Sequence, residues 1–100
     1  MIVKFEKQFQ ADLKKIVRAQ PAIKEELQEL ILVITELGRI PESYDPHLLT
    51  NARGNYTGYW GLHLQEGRFD VIAVHYQNDS ELIRFIRIGS HQELFQGKQL

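Results

Sequence analysis

Phe9, Leu13, Ile16 and Val17 recur at spacings of four, three and one, with mostly polar residues between them. That is the period of an amphipathic helix with one apolar face. Gln20-Pro21 interrupts it, and proline suits the first turn of a new helix, where its missing N–H is no loss. A second stripe follows in Ile23, Leu27, Leu30, Ile31, Ile34 and Leu37. Leu32 and Val33 widen that stripe, so the second helix is expected to be the more buried. Gly38 followed by Pro41 stops it. So tight a link implies an antiparallel helix hairpin. Ahead of the hairpin, Ile2-Val3-Lys4-Phe5 reads as a short first strand.

Residues 39 to 57 carry turn formers throughout: Pro41, Ser43, Asp45-Pro46, Asn51 and Gly54-Asn55. Within this linker His47-Leu48-Leu49 can pair briefly as a strand. The period then changes from 3.6 to 2. Trp60, Leu62 and Leu64 point one way, and Tyr59, Gly61 and His63 the other. Glu66-Gly67 is expected to turn, Val71 to Tyr76 is a β-branched run, Asn78-Asp79-Ser80 turns again, and Leu82 to Ile88 returns. Three strands joined by tight turns form an antiparallel meander. Helices first and strands afterwards, without alternation, predict an α+β fold, one domain over residues 1–100, with the helix hairpin packed on one face of an antiparallel β-sheet. If Leu62 and Leu64 face the helices, His63 lies on the uncovered face.

Composition narrows the function classes. The chain has no cysteine, which removes disulfides, thiolate metal sites and cysteine nucleophiles together. With 43% hydrophobic and 25% charged residues it is ordinary globular material, and disorder is expected only at the polar tail Gln96 to Leu100. Charges interrupt the opening Met1-Ile2-Val3-Lys4-Phe5-Glu6, so no export signal is read. The longest apolar run, Leu30 to Ile34, is far short of the ~20 residues of a membrane span. These features predict a cytoplasmic protein without a membrane partner. From residue 41 onward five basic residues stand against seven acids, and the net charge of the whole chain is −1. Phosphate backbones reward clustered Lys and Arg, so any nucleic-acid site here has to be a small local patch.

Candidate chemistry gathers at the end of the last strand. Leu82 to Ile88 breaks at Gly89-Ser90 and delivers His91, with Phe95 four residues on. Imidazole titrates near neutral pH, so a histidine on ordered backbone at a strand end can give or take a proton. His63 and His47 precede it in settings that can bring them to the same surface. His75, in mid-strand, reads as an exposed, tolerated structural residue. The spacing of the histidines matches no pair of helical metal ligands, and neither a metal nor a cofactor is expected. Ser90 is too near His91 to be its nucleophilic partner. Gly54, Gly58 and Gly61 do not open a helix after a strand, so they form no phosphate loop. Acid–base catalysis remains. Arg87 points to one side of the last strand, where it can balance phosphate charge; Arg84, three residues earlier, should point to the other side in a structural or partner-facing role. Phe95 offers a flat surface on which a base can stack, or else joins Leu94 in pinning the last turn.

Gly58-Tyr59-Trp60-Gly61-Leu62-His63, the meander, and the ending Arg84-Phe85-Ile86-Arg87-Ile88-Gly89-Ser90-His91-Gln92-Glu93-Leu94-Phe95 together resemble the RelE/ParE superfamily of bacterial toxins, in its YafQ branch. The resemblance covers essentially the whole chain. It implies a ribosome-dependent mRNA endonuclease of a type II toxin-antitoxin system, partnered by the ribosome, mRNA and a cognate antitoxin. By motif, His91 resembles the principal catalytic histidine, His63 the second and His47 the third. Arg87 and Phe95 match substrate-binding positions, and Asp70 aligns with the family's acid. The implied chemistry is attack of an RNA 2′-hydroxyl on the adjacent phosphorus, with His91 as acid and His63 and His47 as candidates for base and phosphate contact. Trp60 stands where the family often has a basic residue, and the strand half is acidic. Those two features motivate an alternative, a non-enzymatic ParE-like toxin or partner-binding module of the same fold. A free ribonuclease is a third reading.

Overall fold

The computed structural model describes residues 2–50, 56–65, 69–77 and 82–96. The turns expected at Glu66-Gly67 and Asn78-Asp79-Ser80, the turn formers Asn51 and Gly54-Asn55, and the tail beyond Gln96 lie outside these residues. The chain runs β1 (Ile2–Phe5), α1 (Lys7–Ala19), α2 (Ala22–Leu37), a 3₁₀ turn (Glu42–Tyr44), β2 (His47–Leu48), β3 (Trp60–His63), β4 (Ile72–Gln77), β5 (Leu82–Gly89) and a π-helical turn (Gln92–Gln96). Among the described residues no helix is long and apolar enough to cross a membrane.

The expected α+β architecture is present. Five strands form one sheet in the order β1-β5-β4-β3-β2. Its pairs are antiparallel except β1 with β5, which run parallel with Ile2 opposite Leu82 and Phe5 opposite Phe85. The first strand therefore lies beside the last. Parallel neighbours need a long crossover, and the helix hairpin is part of it. Pro21 precedes α2 in helical geometry, and Gly38 ends α2 in the left-handed region (φ +76°).

The hairpin buries its stripe against one sheet face. Phe9, Ile23, Leu27, Leu30 and Ile34 meet Leu62, Leu64, Ala73, Ile83, Phe85 and Ile88. The rings of Phe5, Phe9 and Phe85 lie within 5.5 Å of one another, Phe5 stacked on Phe85 and Phe9 tilted against both, joining β1, α1 and β5. Each buried large side chain of this kind is worth roughly 1.5–3 kcal/mol relative to exposure. α2 is the more buried helix, as expected, but Leu32 does not contribute: it is 68% exposed. Its place in the helix turns it away from the Ile23–Leu27–Leu30–Ile34 face, so hydrophobicity alone misassigned it. Glu26 ties α2 to the end of β3. Its carboxylate accepts the Gln65 backbone N–H at 2.9 Å and the Gln65 side-chain amide at 2.6 Å, holding Gln65 in a left-handed conformation.

On the other face a smaller cluster forms. Leu49, Ile72, Val74 and Leu94 are buried there beneath Tyr56, Tyr59, Ile86 and Phe95. A β-bulge shapes this face: Arg87 pairs with Val74 but Phe85 with His75, so β5 holds one more residue than β4 across that step. The extra residue restarts the alternation. Arg84, Ile86 and Arg87 consequently line one groove, which corrects the expectation that Arg84 and Arg87 point to opposite sides. His75 is likewise corrected. It is not an exposed strand histidine but 0% exposed, with its ring 5.8 Å from that of Phe85.

Candidate active site

Backbone chemistry at the end of β5 explains how His91 is held. Ser90 and Glu93 cap each other: the Glu93 N–H donates to Ser90 Oγ at 3.1 Å, and the Ser90 N–H donates to Glu93 Oε1 at 3.1 Å. This reciprocal pair is the capping box that starts a helical turn, and His91 is the first residue inside it. Gly89 lets the turn fold back closely, because a Cβ there would lie 2.9 Å from Glu93 Oε1. The His91 backbone N–H, an orphan donor of that turn, is taken by Asp70 at 3.1 and 3.2 Å.

Asp70 also accepts from the ring. His91 Nδ1–H donates to Asp70 Oδ1 at 2.5 Å, which directs Nε2 away from the carboxylate. Partial burial pushes the Asp70 carboxyl up, but the hydrogen bonds from the His91 ring and backbone outweigh it and hold the carboxyl below its usual range. The carboxylate is thus charged at neutral pH. It lies where it can balance positive charge on the His91 ring.

The other two histidines stand in line with His91. Ring centroids are 6.2 Å apart from His91 to His63 and 5.5 Å from His63 to His47. β2 and β3 set the second spacing, since His47 is paired with Gly61 and the side chain of His63 is two positions along the same face. Both answer to Asp45. His63 Nδ1 lies 3.3 Å from Asp45 Oδ2, and His47 Nδ1–H donates to the Asp45 carbonyl at 2.9 Å. Asp45 adopts a left-handed conformation (φ +54°), which aspartate tolerates better than most residues. Phe95 closes the row, 5.8 Å from His91.

Arg87 stands beside this row rather than within it. Its Nε donates to Asp12 Oδ2 at 2.7 Å, Nη2 to Asp12 Oδ1 at 3.3 Å, and Nη1 to Tyr56 Oη at 3.1 Å. Asp12 also accepts the Ile88 N–H at 3.1 Å. The hydrogen bonds that Arg87 donates to the Asp12 carboxylate raise its pKa above the ordinary value. Tyr56 carries the guanidinium to the row, because its ring is 6.1 Å from Phe95. All six residues expected at a site, His47, His63, Asp70, Arg87, His91 and Phe95, therefore share one connected surface. Among the described residues, no group of three His, Asp or Glu side chains is placed to hold a metal ion.

Three participants were not foreseen. Asp45 was in view in Asp45-Pro46-His47, where an acid two residues before a histidine is a usable signal. Asp12 is one acid on an amphipathic helix, and nothing in the sequence marks it. Tyr56 sits in a turn-rich linker with no period to orient it.

Comparison with known proteins places the fold in a family. Residues 1–96 match the family model of the bacterial toxin of type II toxin-antitoxin systems, YafQ. YafQ from E. coli strain BL21(DE3) superposes with a TM-score of 0.69 at 26% identity, over 93% of this chain and 96% of that one. The E. coli DinJ-YafQ toxin-antitoxin complex gives 0.67 at 28% identity, over 93% and 94%. A conserved hypothetical protein from Helicobacter pylori gives 0.62 at 25% identity, over 95% and 99%. No curated protein sequence matches the chain. The family match spans the hairpin, the sheet and the histidine-bearing turn alike, and the chain belongs to the YafQ family of bacterial type II toxin-antitoxin toxins.

Proposed function

We propose that this toxin is an endoribonuclease that cuts mRNA on the ribosome and so arrests translation. The observation that carries this reading is the row of three imidazoles within 6.2 Å of their neighbours, each with Nδ1 occupied by Asp45 or Asp70. That arrangement leaves the Nε2 atoms to meet substrate. In 2′-hydroxyl attack, one group withdraws the 2′ proton, the oxygen bonds to phosphorus, and another group protonates the departing 5′ oxygen. The products are a cyclic phosphate and a free 5′-hydroxyl. His91, charge-compensated by Asp70, is the proton donor. His47, whose Nδ1–H is committed to a carbonyl, offers a lone pair at Nε2 and suits the base. His63 lies between them, where a phosphate would bridge the two. Arg87 steadies the developing charge, and Phe95 stacks the base beside the cut.

A cognate antitoxin is the partner that family membership and the solved DinJ-YafQ complex support. In a purified translation system, message should be cut only when ribosomes are present, and His91→Ala should slow cutting about 10²-fold or more. Message left whole at high protein dose would exclude the nuclease. Growth arrest that survives both His91→Ala and His63→Ala would instead favour a non-enzymatic ParE-like toxin.

A further inference from the structure

The aromatic row does not stop at Phe95. Ring follows ring across the helix-free face of the sheet: Phe95 to Tyr56 at 6.1 Å, Tyr56 to Tyr59 at 6.1 Å, and Tyr59 to Tyr76 at 6.3 Å between centroids. Tyr59 and Tyr76 then form part of the wall of a groove of about 740 Å³. Ile86 adds apolar surface there, while Arg84, Arg87 and Lys7 bring positive charge. Tyr76 is 42% exposed, a large aromatic ring that the fold leaves in water. Arg87 belongs to both places, since it lines the groove and also bonds Tyr56.

We propose that this groove is a subsite for single-stranded RNA, holding nucleotides that continue from the phosphate at the histidines. The substrate class rests on the endoribonuclease reading. The chemistry of the groove favours a single strand over a duplex. Every base has a face that stacks on tyrosine, whereas a duplex hides those faces and demands a broad basic surface. Guanidinium groups beside stacking rings meet the phosphates between bases. Arg84 is paired with Glu6 at 3.0 Å, but their side chains are 42% and 43% exposed. An ion pair that open to water is worth little and yields readily to a phosphate. The bulge at Ile86 builds the groove, because without it Arg84 and Arg87 would lie on opposite faces. The site is continuous with the histidine row.

The test uses the full chain and a fluorescein-labelled hexauridylate, 2′-O-methylated so that it cannot be cut. Tyr76→Ala and Arg84→Gln should each weaken binding about fivefold or more, while Tyr76→Phe keeps it. Arg84→Gln should also flatten the salt dependence, by roughly 0.7 in log–log slope for one phosphate contact. A hexamer carrying 2-aminopurine should be quenched on binding to the unaltered protein, a readout that needs no variant. Affinity and slope unchanged in both variants overturn the proposal, as does failure of the unaltered protein to bind at millimolar concentration. So does a groove whose variants lose only a protein partner. A protein that cuts message through His91 yet ignores these substitutions loses the subsite and keeps the nuclease. One that binds the hexamer through Tyr76 and never cuts keeps the subsite and loses the nuclease.

Discussion

His75 holds both ring nitrogens in the core without a hydrogen-bond partner, and burial pushes its pKa down from 6.5 to about 4. Between those values the unfolded chain binds a proton that the folded chain refuses, so stability falls as pH drops from about 6.5 towards 4. The loss is on the order of 3 kcal/mol when complete. Urea midpoints at pH 7.5 and 5 should differ accordingly, and His75→Phe should remove most of the difference. The Asp70 carboxyl acts in a separate window. Its lowered pKa contributes stability that persists above the ordinary carboxyl range and disappears only as pH falls through the lowered value. The burial of His75 was not legible in the sequence, because Ile72, Ala73 and Val74 beside it are all apolar and β4 shows no alternation. Both faces of that strand are covered, which erases the period that would have oriented it. His63, in a strand with one bare face, was placed correctly for the opposite reason.

At the level of elements, the turn that begins at Ser90 is the most consequential short segment. Removing its cap with Ser90→Ala should cost about 1 kcal/mol and let His91 drift from Asp70. A thermal shift of a few degrees with a larger drop in cleavage is the expected pair of results; equal losses in both would assign Ser90 to stability alone. The pattern Ser90-His91-Gln92-Glu93 spells this cap out, a serine followed three residues later by a glutamate. The helices were legible because their apolar periods are long and clean, and the strands because apolar runs alternate with turn formers. The bulge was not, since Arg84 to Ile88 contains no glycine or turn former to announce an extra residue. One unannounced residue was enough to put Arg84 on the wrong side. Glu26 offers a second check on element packing. Glu26→Ala should cost about 1.5–3 kcal/mol in urea unfolding, since it removes the carboxylate that takes the Gln65 backbone N–H.

For the whole molecule, charge sets how the proposed nuclease would find RNA. With a net charge of −1 it has no broad field to draw in a phosphate backbone, so its hold on naked message should be weak. The log–log salt slope for single-stranded RNA should be no steeper than about −2, as two or three phosphate contacts would give. A steep slope measured by anisotropy would mean that a larger basic surface exists. On the proposed function, weak intrinsic hold is a physical reason for cutting on the ribosome, which would present the strand already extended. The pairing of Ile2 with Leu82 bears on how the protein is made. During synthesis β1 emerges early and must wait for β5, although β2 to β5 can pair in chain order behind the growing end. Partners so distant along the chain make the fold slow to close. Until β5 emerges the first strand has no neighbour in the sheet, so a chain cut short before Leu82 leaves that strand unpaired.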